Sequence, residues 1–408
     1  MISLVIKFKR PLLQSSFPHH RCCKRIKNGF TSFDQGHQQK KSFPRIEWFY
    51  IPAGVGFGLL CLIQLKHIWK REQRKIAYPD GVENPGFVFQ QWQVDLLKNF
   101  PTRSLSRLWG YCCNANLPVW LRKPLINSYS WIFECNLEEA IITDVTKYPT
   151  FNKFFTRRLK PGVRSVDPHC TVVSPADATV LTFGSVSHPK LELEQIKGFT
   201  YPLKTFVGPR HPFLKGVNLS FPENNDMLAV GSCPSQVSED GDFKLFYCTL
   251  YLGPGDYHWF HSPTEWTIEH RRHIPGHLFS VNPRSLRHIN GIFNFNERVL
   301  LSGHWEHGLF LYAAIGAYNV GSIKLDLNMD RELQTNSSFQ SKTFKDRLYS
   351  SGILMKRGET LGRFELGSSL VLVFTAPKDF EFSVKTGDKL KYGQALGRIA
   401  SSSDQKIT

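Results

Sequence analysis

The sequence predicts an α+β protein, with a transmembrane helix and amphipathic helices first and a mostly antiparallel β domain of barrel or sandwich type after them. Apolar residues recur at helical spacing from about residue 88 to 160. After Pro161 the pattern changes to short alternating runs separated by Gly, Pro, Asp and Asn. The chain has 408 residues, 41% of them hydrophobic, so it can bury a large core.

Residues 1–45 form a basic leader. They contain ten lysines or arginines and a single acid, Asp34, with serines between them. A basic, acid-poor leader is typical of a mitochondrial transit peptide. The alternative is a disordered basic tail.

Residues 46–66 are predicted to cross a membrane once. No charged residue occurs from Trp48 to Leu65, and this length is at the short end for a spanning helix. Aromatic residues begin the run and Lys66 follows it, as expected at the two interfaces. The alternative, a buried core helix, is disfavoured by the charge clusters on both sides. A transit peptide followed by one span indicates an inner-membrane protein whose bulk faces the intermembrane space.

Residues 67–100 are expected to be a connector, and residues 101–160 a helical, membrane-proximal segment. The helical pattern is rich in tryptophan and is bordered by Arg103, Arg107, Arg122 and Lys123. Such a segment can lie in a membrane interface. It can equally pack its aromatic side chains on the core of the protein.

Residues 161–408 are predicted to form the β-rich catalytic domain, with residues 330–350 as a polar loop. Two similar glycine turns, at Gly358 and Gly393, each predict strand, tight turn, strand. The predicted strands are Thr171–Val173, Thr179–Phe183, Phe243–Leu252, Arg298–Ser302, Leu309–Ile315 and Val320–Leu327.

The composition argues against several classes of protein. The formal net charge is +17, but no zinc-finger spacing and no RNA-binding signature accompany it, so nucleic acid is not an expected partner. The nine cysteines contain no CxxC pair, which indicates free thiols rather than a zinc site or a disulfide framework.

A candidate nucleophile, Ser368, lies between Gly367 and the apolar run Leu370–Phe374. The run predicts a buried strand, and a serine at its start could present its hydroxyl to the preceding carbonyl. The alternative is an ordinary turn, which is the commoner use of Gly-Ser-Ser.

Two further sequence motifs carry ionisable side chains next to predicted strands. Asp177 lies in a turn that begins with Pro175, where it can orient a histidine or form an Asx turn. His258 and His261 lie among aromatic residues and suit proton transfer. They can also be core histidines or part of a metal site, but no pattern supplies a third ligand, so no metal is predicted. Asp, His and Ser in this order are the ingredients of a charge-relay triad.

Together these three motifs resemble those of the phosphatidylserine decarboxylase family, in particular of its mitochondrial, membrane-anchored type. The resemblance covers roughly residues 80 to 400 in the correct order. The matching stretches are Phe154–Pro161, Ser174–Asp177, Tyr251–His258, His261–Pro263, Asn282–Pro283, Asn296–Val299, Gly316–Ile323 and Glu365–Ser369.

Two residues depart from the family pattern. Ser369 stands where the family commonly has threonine, which keeps a hydroxyl. Ala178 stands where the family usually has glycine after the catalytic aspartate. If that turn needs a positive φ, alanine costs about 1 kcal/mol.

The resemblance implies a pyruvoyl-dependent carboxy-lyase that processes itself. His261, oriented by Asp177, would take the proton of Ser368, and the chain would break between Gly367 and Ser368. A β chain ending at 367 and an α chain of residues 368–408 would stay together as a heterodimer, and a higher oligomer is compatible with this. Ser368 would become the pyruvoyl cofactor.

The resemblance also implies the reaction. The amine of phosphatidylserine would form a Schiff base with the pyruvoyl group, and CO₂ and phosphatidylethanolamine would be released. His258 is the expected proton donor. The alternatives are a membrane-anchored serine hydrolase that uses the same triad without self-cleavage, and a membrane scaffold without activity.

Overall fold

A computed structural model describes residues 62–71, 88–99, 101–186, 190–196, 198–216, 242–317, 322–326, 330, 332–337, 343–365 and 368–400. Every described residue belongs to one compact unit, Val55–Thr408. The predicted leader and most of the predicted span lie outside the described residues. Within them, no helix has both the length and the apolar character needed to cross a membrane.

Helices dominate the N-terminal part, and local sequence explains where several of them begin. Thr150 caps α5 by accepting a hydrogen bond from the amide of Lys153, and Asn282 caps α8 in the same way with Pro283 in its first turn. The helices are α1 (62–71), α2 (Gln91–Lys98), α3 (Thr102–Asn114), α4 (Val119–Phe133), α5 (Phe151–Phe155), α6 (Leu203–Val207), α7 (Pro212–Gly216), α8 (Pro283–His288) and α9 (Ile292–Phe295).

The four tryptophans of α2, α3 and α4 point outward rather than into the core. Trp120 is 77% exposed and Trp92 is 62% exposed, and Trp109 and Trp131 are also exposed. Of the two alternatives for these aromatic side chains, packing on the protein's own core is therefore wrong for these four.

Strands dominate the rest of the chain. They are β1 (Val172–Val173), β2 (Ala178–Ser185), β3 (Glu192–Ile196), β4 (Phe199–Pro202), β5 (Phe243–Leu252), β6 (Trp259–His261), β7 (Trp266–Ile274), β8 (Arg298–Trp305), β9 (Gly308–Gly316), β10 (Ile323–Leu325), β11 (Lys345–Met355), β12 (Thr360–Phe364), β13 (Ser368–Pro377), β14 (Phe380–Phe382), β15 (Lys389–Leu390) and β16 (Ala395–Ile399).

An antiparallel sheet of eight strands organises the described part of the chain, in the order β11–β7–β8–β9–β13–β5–β2–β15. Small sheets, β1–β16–β14 and β10–β12–β6, pack on one face through a core that includes Phe260, Phe364 and Leu396. Helices α2 and α6–α9 and the β3–β4 hairpin cover the other face. A third apolar cluster joins α3, α4 and α5. The structure is thus α+β and mostly antiparallel, as predicted.

Three details of the predicted fold need correction. The large sheet is open, with β11 and β15 at its edges, and the described strands form no closed barrel. The loop predicted for residues 330–350 ends early, because β11 begins at Lys345 and pairs with β7. Each glycine turn does join two strands, but those strands enter different sheets: β11 and β12 separate at Gly358, and β15 and β16 at Gly393.

Candidate active site

Ser368 opens β13, a central strand of the large sheet. It is opposite Leu252 of β5 on one side and Gly316 of β9 on the other. The apolar run Leu370–Phe374 that follows is completely buried, and burial stabilises each such side chain by about 1.5–3 kcal/mol. The strand that holds Ser368 is therefore firmly fixed, as the apolar run predicts.

The alternation of β13 places its first two serines on opposite faces of the sheet. Leu370 and Leu372 belong to the core under the small sheets, whereas Val371 and Val373 belong to the core under the helices. Because side chains alternate along a strand, Ser368 faces the small sheets and Ser369 faces the helices. Both hydroxyl oxygens are buried without a hydrogen-bond partner in the described structure.

His258 lies just before β6, and His261 is the last residue of β6. Both are on the side of the large sheet that Ser368 faces. The amide of Phe364 in β12 donates to the carbonyl of His258 at 2.9 Å. Ser368 follows Phe364 by four residues, so it lies at most about 14 Å along the chain from this contact. The intervening Gly367, the predicted cleavage residue, lies outside the described residues.

Both histidines are neutral bases in this structure. His258 Nδ1 lies 2.8 Å from the carbonyl of Asp256, and His261 Nδ1 lies 3.0 Å from the carbonyl of Gly358. A carbonyl only accepts, so each Nδ1 carries the proton and each Nε2 has a free lone pair. Burial lowers the pKa of His258 to about 3 and that of His261 to about 4. Neither Nε2 has a hydrogen-bond partner among the described residues.

Asp177 is held by other groups than the histidine it was expected to orient. Arg164 donates to both of its carboxylate oxygens, at 3.1 and 2.6 Å, and the amide of Tyr392 donates to Oδ1 at 2.9 Å. No hydrogen bond joins Asp177 to His261 in the described structure, because Nδ1 of that ring binds Gly358 instead. The expected direct contact within the triad is therefore not made.

Tyr392 provides an indirect connection between the two. Its ring stacks on the ring of His261 with the centroids 3.9 Å apart and the planes 7° from parallel. Since Asp177 fixes the backbone of Tyr392, it restrains the ring that lies on the histidine. The backbone adds a second link, because the carbonyl of Pro175 accepts from the amide of His261 at 2.8 Å.

The loop between β5 and His258 is clamped by the N-terminal helices. Tyr129 of α4 donates to the carbonyl of Pro254 at 2.8 Å, and Arg157 donates to that of Gly255 at 3.0 Å. The Asp256 carboxylate accepts from the amide of Gly253 at 2.7 Å, and burial raises its pKa to about 7.

A family model described as phosphatidylserine decarboxylase matches residues 151–398, which contain Asp177, both histidines and Ser368. This match covers more than half of the chain. The chain belongs to the phosphatidylserine decarboxylase family. The resemblance inferred from the motifs is thus confirmed.

Relatives from distant organisms are similar over most of their length. The mitochondrial phosphatidylserine decarboxylase proenzyme of Cricetulus griseus is 45% identical over 78% of this chain and 77% of its own. Proenzyme 1 of Schizosaccharomyces pombe is 38% identical over 90% of this chain and 94% of its own. That of Arabidopsis thaliana is 37% identical over 86% and 84%.

Ala178, which departs from the family pattern, is accommodated beside Asp177 without strain. Ala178 begins β2, where it pairs with Leu390, and it is not among the described residues with a positive φ. The turn therefore does not need the glycine.

Sequence reasoning missed Arg164, Tyr392 and the carbonyl of Gly358. Tyr392 and Gly358 lie in the two glycine turns, which predicted bends but gave no sign of what the bends approach. Arg164 was one of many basic residues. Sequence reasoning also gave no role to Asp256. This was the one missed residue with a signal in the sequence, because it lies in the motif Asp256-Tyr257-His258.

Proposed function

We propose that this chain is a phosphatidylserine decarboxylase that makes its own pyruvoyl cofactor from Ser368 and converts phosphatidylserine to phosphatidylethanolamine and CO₂. The observation that carries the proposal is the placement of Ser368. A fully buried serine without a hydrogen-bond partner begins a central strand, on the face that carries two neutral histidines.

The site suits a cofactor formed from the chain. A pyruvoyl group, once formed, supplies a ketone that withdraws electrons from a bound amine. Position 368 holds it by backbone pairing to Leu252 and Gly316, and the surroundings are dry because Ser368 is fully buried. The residues present therefore fit the group.

Self-cleavage is assigned to Ser368 with His261 as its base. Nε2 of His261 takes the hydroxyl proton, and the oxygen of Ser368 attacks the carbonyl carbon of Gly367 as the C–N bond breaks. Removal of the α-proton of residue 368 then expels Gly367 as a carboxylate. Water adds and ammonia leaves, which gives the pyruvoyl end. No hydrogen bond joins Ser368 Oγ to Nε2 in the structure, so the transfer needs a closer approach or a bridging water molecule.

His258 is assigned to proton transfer during decarboxylation. Its Nε2 is a free base, and its low pKa makes the protonated ring a strong acid. Once protonated, it can therefore give a proton to the carbon that loses CO₂. Phe155, whose ring centroid lies 4.1 Å from that of His258, helps to keep water away.

The two products of cleavage are expected to remain together. The α chain, residues 368–408, would supply β13, β14, β15 and β16. β13 is paired on both sides, with β5 and β9, and β16 lies between β1 and β14. Separation would break the ladders of β13 with β5 and β9 and that of β16 with β1, which supports a stable heterodimer.

A serine hydrolase with the same triad is less well supported. A hydrolase must expose its nucleophile to substrate, whereas Ser368 is completely buried. Self-cleavage needs no such access, because its substrate is the preceding residue of the chain.

We place the enzyme in the mitochondrial inner membrane with its catalytic domain in the intermembrane space. Residues 1–45 serve as the leader, 46–66 as the span, 67–100 as the connector, 101–160 as a membrane-proximal helical segment and 161–408 as the catalytic domain. The basic leader, the uncharged run and the exposed tryptophans of α2–α4 support this arrangement.

Four variants test the assignment of roles. Ser368→Ala should give only the full-length band on denaturing gels, while Ser369→Ala, its matched control on the other face of the sheet, should be processed. His261→Ala should block processing, and His258→Ala should be processed yet release no CO₂ from phosphatidylserine. Borohydride should inactivate the processed enzyme, because it reduces a ketone and spares a serine hydrolase. Intact, active Ser368→Ala protein would overturn the proposal, and the opposite histidine pattern would exchange the two roles.

A further inference from the structure

A cavity of about 250 Å³ lies between α3 and the segment that leads into β13. Glu365, three residues before Ser368, lines it, and so do Arg107 and Tyr111 of α3. Asn152 of α5 also lines it, one turn before Phe155, which contacts His258. Two of the lining residues are thus close in sequence to groups that contact or carry the proposed chemistry.

The hydrogen bonds of Asn114 and Asn152 leave the side-chain oxygen of Asn152 without a protein donor in the described structure. Asn114 Nδ2 donates to the carbonyl of Gly110 at 2.9 Å, so its Oδ1 accepts from Asn152 Nδ2, also at 2.9 Å. This order fixes Asn152 with its Oδ1 free. Asn152 is 8% exposed, and its Oδ1 is buried without a partner in the described structure, as is Oδ1 of Asn336 on the same cavity.

Buried acceptors without donors are rare in proteins and call for a ligand that donates. The cavity adds the Glu365 carboxylate to these two oxygens. Three acceptors that line one cavity, one of them a carboxylate that also pairs with Arg363 at 3.6 Å, suit an ammonium group. Arg107, the single cation among the described lining residues, suits an anionic oxygen, and its guanidinium has donors beyond the one bound to Ser104.

The size and the opening of the cavity limit what it can hold. Pockets that enclose whole drug-sized ligands measure roughly 300–1,000 Å³, so this one suits a small polar group and not acyl chains. Of its lining residues, Tyr111 is 78% exposed, and Leu108, on the next turn back, is 59% exposed. A lipid whose chains remain on this apolar surface can therefore place its headgroup inside.

We propose that this cavity binds the headgroup of phosphatidylserine, with Arg107 on the phosphate and with Asn152, Asn336 and Glu365 on the ammonium group. This inference rests on the proposed function and names the residues that select its substrate. One of the acceptors, Glu365, precedes position 368, where the amine must react, by three residues. Arg107 lies on the side of the exposed apolar residues of α3.

Binding of dihexanoyl phosphatidylserine to full-length Ser368→Ala protein, measured by calorimetry, tests the site without requiring turnover. Arg107→Ala in this background should weaken binding about tenfold, which corresponds to the loss of one charge-assisted contact. Glu365→Gln should weaken binding of phosphatidylserine and leave that of dihexanoyl phosphatidylglycerol, which has no ammonium group, unchanged. Lys153→Ala is the matched control, because Lys153 is an exposed cation next to Asn152 that does not line the cavity.

Kinetics of the processed enzyme separate this inference from the function on which it rests. Arg107→Ala should raise KM about tenfold for the same lipid and leave kcat and self-cleavage near those of the unsubstituted protein. Unchanged binding and KM in Arg107→Ala, or an equal loss in Lys153→Ala, would overturn the headgroup site. Absence of processing and CO₂ release in the unsubstituted protein would instead overturn the proposed function.

Discussion

At the scale of single residues, the site consists of groups that the fold leaves without partners. Ser368 Oγ and the Nε2 atoms of His258 and His261 are all buried and free in the described structure. Leaving a buried polar group unsatisfied costs about 1–3 kcal/mol. The relatives of this chain are proenzymes. The cost is therefore consistent with a precursor whose unsatisfied groups react in a later processing step.

Tyr392 is expected to act as a positioning residue for His261. Aromatic stacking contributes about 0.5–1.5 kcal/mol, so Tyr392→Ala should slow self-cleavage by roughly two- to tenfold. Tyr392→Phe keeps the ring and should process at the rate of the unsubstituted protein. The measurement is the disappearance of the full-length band after cell-free synthesis. An equally slow Tyr392→Phe variant, or a fast Tyr392→Ala variant, would show that the stack has no such role.

The pH dependence of self-cleavage should reflect the buried state of His261. With its pKa lowered to about 4, the ring stays neutral down to about pH 5, so the rate should be flat from pH 8 to 5.5. A histidine with the ordinary pKa of about 6.5 would lose about tenfold over this range. The measurement is best made with Asp256→Asn, because the raised pKa of Asp256 falls within the same range. A halving of the rate near pH 6.5 would contradict this view.

The lowered pKa values of His258 and His261 also determine how the stability of the folded state changes with pH. The unfolded chain binds protons at His258 and His261 near pH 6.5, whereas the folded chain does not until about pH 3–4. The folded state therefore loses stability as pH falls below 6.5, and rates at pH 5.5 must be normalised to the folded fraction.

At the scale of elements, the sequence predicted the apolar strands of the central sheet and missed a strongly charged one. Phe243–Leu252 is β5 at both ends, because a long apolar and β-branched run has few other ways to be buried. β7 was missed, since its residues Glu269, His270, Arg271 and Arg272 do not suggest a buried strand. Those charges are paired in three dimensions, as Arg272 is with Asp346, and such pairing is invisible in one sequence.

The contacts of the candidate site residues could not be predicted from the sequence, for the same reason. Motifs identified Asp177, His258, His261 and Ser368. They could not show that Tyr392, more than two hundred residues from Asp177, separates the acid from the base. Contacts between distant turns depend on how the small sheets pack.

The loop before His258 should depend on close packing against α4. A Cβ added at Gly255 would overlap the carbonyl oxygen of Phe133, so Gly255→Ala must displace the end of α4 or the loop. We expect this variant to lose self-cleavage and to melt several degrees lower, since overpacking costs about 1–3 kcal/mol. Gly184→Ala is the control, because its Cβ would meet the Tyr247 ring at an ordinary 3.5 Å. Normal processing of Gly255→Ala would contradict the proposed clamp.

At the scale of the whole molecule, exposed apolar side chains are concentrated on the N-terminal helices. Helix α1, which begins within the last residues of the predicted span, contacts the end of α4: Trp69 packs on Phe133 and Lys70 pairs with Glu134 at 3.2 Å. The same end of α4 adjoins Gly255. This continuity, together with the net charge of +17, suggests a surface that rests on an anionic membrane.

Fluorescence in reconstituted vesicles should locate that surface. Brominated lipids quench tryptophans at the membrane, so replacing Trp109 and Trp120 together with phenylalanine should reduce the quenched fraction. Trp305→Phe, which alters a buried tryptophan of β8, should leave the quenched signal unchanged. Equal quenching in the double variant and the unsubstituted protein would place these helices away from lipid.

The mass of the C-terminal fragment tests the central claim most directly. Purified protein, denatured and analysed by mass spectrometry, should yield a fragment of residues 368–408 that is lighter than the serine-ended peptide by one ammonia. Its N-terminus should resist Edman degradation. A chain that remains full-length, or a fragment that retains an intact Ser368, would contradict the conversion of this buried serine into the cofactor.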